Sequence, residues 1–121
     1  MGKARFHIAV MLLSTDIWVS ALVRRVEQAG SFAFIAHKGE RQFGSVLVKV
    51  LNLRSRDAYV LREVRTGDDT VWIQPVETIA EPDVDAYITR QLKFDADLWV
   101  VEIEDGEGRH FLVEPVQLSD N

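Results

Sequence analysis

The chain has 121 residues, no cysteine, and 14 basic against 19 acidic side chains, for a formal net charge of −5. That length makes one domain, large enough to bury a core without a metal or disulfide. The missing cysteines exclude disulfide scaffolds, thiol nucleophiles and cysteine-ligated metals, and the acidic balance disfavours general binding to phosphate backbones.

In chain order, residues 1–10 read as an N-terminal extension, disordered or a short strand, ahead of a single domain over 11–118, with Met11 as an alternative start. The apolar run Ile8–Leu13 is too short to span a bilayer and precedes no small-residue cleavage site. A cytoplasmic protein with no membrane contact is expected. The stretch 17–29, IWVSALVRRVEQA, puts Trp18, Val19, Leu22, Val23, Val26 and Ala29 on one face of an amphipathic helix. Thr15 or Asp16 is its expected cap, and Gly30 its end.

Four strands follow, at 32–38, 45–53, 57–64 and 70–74. The segment SVLVKVLNL is apolar on nearly both faces, as a central strand is. TGDD at 66–69 predicts a hairpin, and Pro75 stops the fourth strand. PDVDAYITRQLKF (82–94) is a second amphipathic helix, with Pro82 in its first turn and acids and bases placed to suit the helix dipole.

LWVVEIE (98–104), DGEG and RHFLVE (109–114) then read as a strand, a turn and a returning strand. The favoured register sets Glu104 opposite Arg109. It puts His110 and Leu112 on the core face with Trp99, Val101 and Ile103, and leaves Glu102 and Glu104 on a solvated face. The pattern Asp–aliphatic–Trp–Val occurs at 16–19 and 97–100 without a longer match, so it is read as two entries into one core, not a duplication. An α+β fold in the order α-β-β-β-β-α-β-β follows, with a mostly antiparallel sheet of five to six strands and both helices packed on one face.

Few residues form a chemical constellation. GERQFGS (39–45) has two glycines at phosphate-loop spacing but lacks the lysine and the following helix, so it reads as a hairpin loop. The three histidines have no ligand spacing, and no nucleophile elbow occurs. No catalytic residue, metal or cofactor is expected. Two candidate clusters remain: an acidic group of Asp95, Asp97 and Glu102 with Arg25, and a basic group of Arg54, Arg56, Arg62 and Arg65.

The segments TDIWVSALVRR, AGSFAFIAHKGERQFGSVLVKV, DAYITRQLKFDADLWVVEIED and GRHFL resemble the alphaproteobacterial domain-of-unknown-function family 1491, across residues 11–113. RQLKFDADLWVVEIED is the most specific part. The resemblance implies one small cytoplasmic domain and brings no activity, cofactor or catalytic residue.

The leading expectation is a non-enzymatic protein-interaction domain that forms a homo-oligomer, since an open sheet leaves two edges to be paired or blunted. A small hydrolase or ligand-binding protein using the acidic cluster is the alternative, and weak RNA binding through the arginines the third; nucleic acid is disfavoured by charge, and a small-molecule ligand stays open.

Overall fold

The structure, a computed structural model, describes residues 13–67 and 69–118, without the side chains of Arg65 and Thr66. The expected extension over 1–10 lies outside the described residues. Helix α1 (Thr15–Gln28) leads to β1 (Phe32–His37), β2 (Val46–Asn52), β3 (Ala58–Thr66) and β4 (Asp69–Ile73). Helix α2 (Glu81–Phe94), β5 (Trp99–Asp105) and the short β6 (Val116–Gln117) follow. The fold is α+β with the expected element order.

The sheet runs β1-β5-β2-β3-β4-β6. β1 and β5, β2 and β3, and β3 and β4 pair antiparallel, the last being the hairpin that TGDD predicts. β2 with β5 and β4 with β6 are parallel, so the sheet is mixed, with three of its five pairings antiparallel as the expected mostly antiparallel sheet requires. The central β2–β5 pair is parallel because α2 and its flanking segments carry the chain across the sheet between β4 and β5.

The helices lie on opposite faces, which corrects the one-face expectation. Val19, Leu22 and Val26 of α1 pack with Val46, Val48, Val50, Leu61, Trp72, Trp99, Val101 and Ile103. Val84, Tyr87 and Ile88 of α2 pack with Leu47, Leu51, Ala58, Val60, Leu98 and Val100. Alternate residues of β2 therefore enter two different cores, the physical meaning of its two-sided apolar pattern. Both expected tryptophans serve the α1-side core: Trp99 is buried in it, and Trp18 packs on it, stacked against Trp72 at 5.4 Å between ring centroids.

Asp16 is not the N-cap residue of α1 but lies inside its first turn. Ser14 is the N-cap residue, and its hydroxyl donates to Asp16 at 2.5 Å. Two first-turn amides are satisfied from a distance, Thr15 N–H donating to the Gln42 carbonyl at 3.1 Å and Asp16 N–H to that of Arg41 at 2.9 Å, while Ile17 N–H donates to the Asp16 carboxylate at 2.9 Å. Gly30, at φ +87°, ends the helix as expected.

The segment GERQFGS is not a hairpin loop, because β5 lies between β1 and β2. It bridges the entrance of β5. Glu40 N–H donates to the Asp97 carbonyl at 2.9 Å, the Trp99 indole donates to the Glu40 carbonyl at 2.7 Å, and Trp99 N–H donates to that of Ser45 at 2.8 Å. The glycines permit this approach. A Cβ on Gly39 would stand 2.1 Å from the Asp97 carbonyl oxygen. Gly39→Ala is expected to destabilise by about 3 kcal/mol, at the upper end of overpacking effects; a denaturant midpoint within error of wild type would refute the bridge.

The last strand is also corrected. Residues 109–114 are irregular, Phe111 takes φ +62°, and only Val116–Gln117 pair, with β4 and not β5. Arg109 pairs with Asp105, not Glu104. Leu112 does join the core beside Trp99, Val101 and Ile103. His110 is half-buried and accepts the Leu112 amide at Nδ1, 2.9 Å away, and burial lowers its pKa.

Candidate functional site

Lys49 stands in the middle of β2. Strand alternation points it to the α2 face, between Leu47 and Leu51, where its side chain is 5% exposed. The register puts Glu102 of β5 beside it on one side and Val60 of β3 on the other. Above it, α2 begins with Glu81 and Asp85, four residues apart and so on one helical face. The ammonium lies 2.8 Å from Glu81, 2.6 Å from Asp85 and 2.7 Å from Glu102.

Burial penalises the Lys49 charge, but the hydrogen bonds it donates to Asp85, Glu102 and Glu81 outweigh that penalty and hold its pKa above the ordinary lysine value. A lysine held protonated is neither a nucleophile nor a base near neutral pH. The three carboxylates present oxygens within 4.8 Å of one another, a spacing that would suit a cation. The ammonium already stands among them, so a metal would have to displace it. The cluster fastens the start of α2 to the sheet and leaves two negative charges in excess, with Asp85 the most exposed of the three acids.

Beyond Glu102 the same face continues onto β1, with Phe34 opposite Glu102 and Phe32 opposite Glu104. α2 lies over β2 and β3 and leaves this part open. Phe32 is 63% exposed and Phe34 45%.

The candidate acidic cluster does not assemble. Arg25 is on α1, where it donates to the Phe111 carbonyl at 2.5 Å, on the other side of the sheet from Glu102. Asp95 and Asp97 are exposed in the loop before β5, where the Asp95 carboxylate accepts the Asp97 amide at 3.0 Å. Glu102 is not on a solvated face; it is an ion-pair partner of Lys49.

The basic group separates likewise. Arg54 and Arg56 sit in the turn between β2 and β3, whereas Arg65 is paired in register with Thr70 near the far end of β3, about 23 Å from Ala58 at ordinary strand rise. Arg62 is occupied on the α2 face, donating to Tyr87 Oη at 3.1 Å and to Gln91 at 2.9 Å.

Three buried charges were missed by sequence reasoning: Lys49, Asp105 and Glu114, whose carboxylate accepts from the Trp18 indole at 3.3 Å. Lys49 had a signal: a lone cation inside an apolar strand needs acidic partners. Asp105 looked like an ordinary turn residue, yet it is 1% exposed. Its carboxylate accepts from Arg109 Nε at 3.1 Å, Arg109 Nη2 at 2.9 Å, and the amides of Glu107 and Arg109 at 3.1 and 2.9 Å, as well as from the Ser31 hydroxyl. The Arg109 side chain foremost, against the opposing effect of burial, holds the carboxyl well below the usual carboxylate range.

The class defined by these features is a small, two-cored α+β domain with an ion-paired lysine inside its sheet. The chain belongs to the family described as "Protein of unknown function (DUF1491)", which matches residues 13–113. It resembles the crystal structure of a DUF1491 family protein from Caulobacter crescentus CB15, with 53% identity, a TM-score of 0.86, and coverage of 88% of this chain and 100% of that one. An NMR structure of a DUF1491 family protein from the same organism gives 53% identity, a TM-score of 0.83, and coverage of 88% and 97%. The solution structure of a protein from A. tumefaciens gives 27% identity and a TM-score of 0.69, over 88% of this chain and 99% of that one. A comparison with curated proteins gave no match. Among the described residues, no helix is long and apolar enough to cross a membrane.

Proposed function

We propose that this chain is a cytoplasmic, non-enzymatic protein-interaction domain that self-associates through β1. The supporting observation is the contrast between the two sheet edges. The β6 edge is two residues long and follows Pro115, both ordinary ways to blunt an edge. β1 is six residues long, carries no charge over Phe32–Ala36, and exposes Phe32, Phe34 and Ile35. Such a strand is a template for another strand, and antiparallel pairing of β1 with a second copy is self-complementary about a twofold axis.

The hydrolase reading has less support, because Arg25 and Glu102 are separated by the sheet and Lys49 is held protonated. RNA binding loses its continuous basic patch. Sedimentation at micromolar concentration is expected to give twice the 13.8 kDa chain mass. Phe34→Lys sets two like charges near the twofold axis and is expected to yield a folded monomer. A wild-type monomer at 100 μM, or a Phe34→Lys dimer of undiminished affinity, would overturn self-association through this edge.

A further inference from the structure

The in-plane edge of β1 is one feature, and the sheet face beside it is another. On the α1 side, α1 packs against β1 and Ala33 joins that core, leaving Ile35 44% exposed. On the α2 side no described element covers Phe32 and Phe34. An apolar strip between a free edge and a helix flank fits an elongated segment lying alongside α2.

The charge around the strip selects the occupant. Glu81, Asp85 and Glu102 share one ammonium, and Glu104 lies on the same face next to Phe32. The cation there is 5% exposed and fully engaged, whereas Asp85 is 53% exposed. Arg62, also on this face, is held by Tyr87 and Gln91 across β3. The strip is thus acidic on its α2 side and aromatic on its β1 side. A partner guanidinium or ammonium there gains carboxylates on one side and phenyl faces on the other, which suits neither an acidic segment nor a phosphate backbone.

We infer that the open half of the α2 face, formed by Phe32, Phe34, Glu102, Glu104 and Asp85, docks a basic amphipathic helix of another protein. Its apolar residues cover the two phenyl rings and its cations meet the surplus carboxylates. This rests on the interaction-domain reading of β1, but it uses the ring faces standing off the sheet and not the backbone edge, so both contacts can be made at once.

The test uses the full chain, isotope-labelled and titrated with a synthetic leucine–arginine amphipathic peptide of about 18 residues, five helical turns. A counterpart with glutamate for every arginine serves as control. The cationic peptide is expected to shift the amide signals of residues 32–35, 81–85 and 102–104 saturably, and the acidic one to bind at least about tenfold more weakly. Phe34→Ser should weaken binding about tenfold and Asp85→Asn severalfold, with thermal midpoints near wild type. Phe32→Ser replaces Phe34→Ser if the latter fails to fold. Shifts spread over the whole surface, equal responses to the two peptides, no response to the cationic one, or variants that bind like wild type would each overturn the proposal. Sedimentation of the same samples separates the two readings: a monomer with the localised shifts defeats self-association alone, and a dimer without them defeats the docking site alone.

Discussion

Lys49→Met is expected to destabilise the protein by about 3 kcal/mol, measured as a lower denaturant midpoint at unchanged slope. Removing one member of a buried ion cluster leaves the others desolvated without a partner, at about 3–5 kcal/mol. The lower figure applies because Glu81 and Asp85, 32% and 53% exposed, can turn toward water, while Glu102, at 17%, has less freedom. Combining Lys49→Met with Glu102→Leu makes the central pair apolar and is expected to recover most of the loss. A loss below about 1 kcal/mol for the single variant would mean that the cluster does not hold α2.

The pH dependence follows from the direction of the shift. The folded-state pKa of Lys49 is raised above the ordinary lysine value of 10.5. Its contribution is therefore full below that value and is lost as pH rises through the folded-state pKa. Wild type is expected to lose stability above pH 10.5 in a phase that Lys49→Met lacks.

Asp105→Asn is expected to cost about 3 kcal/mol at neutral pH, with faster amide exchange over residues 105–112. Every described group facing this carboxylate is a donor, so an amide nitrogen in place of one oxygen would meet donors with a donor. The sign is opposite to that of Lys49. The folded-state pKa of Asp105 is depressed from 3.8, so its contribution is full above that value and is lost as pH falls toward the folded-state pKa. The stability difference between wild type and Asp105→Asn should shrink steadily from pH 4 to pH 2. A difference independent of pH would refute the role of the charge.

How much of this was legible in the sequence depends on the range of the interaction involved. The helices, the β3–β4 hairpin and the entry of Trp18 and Trp99 into one core follow from local periodicity and turn chemistry, which are sequence-near quantities. Even the two-sided covering of the sheet was latent in Val46–Leu51, where only Lys49 interrupts a run apolar on both faces. The family, too, was readable from RQLKFDADLWVVEIED and its companion segments.

The tertiary structure alone decided which strands became neighbours. Insertion of β5 between β1 and β2 turned an apparent hairpin loop into a bridge, put Glu102 next to Lys49 and left β1 at an edge. It separated Arg25 from Glu102, because helices on opposite faces cannot share a site through a packed sheet. The last segment reads as a strand but does not form one over 109–114, because Asp105 collects the amides of Glu107 and Arg109 and curls a chain whose local alternation favours extension. Periodicity states which side of a strand is apolar; only long-range pairing states what lies beside it, and both the ion cluster and the open aromatic face are products of that pairing.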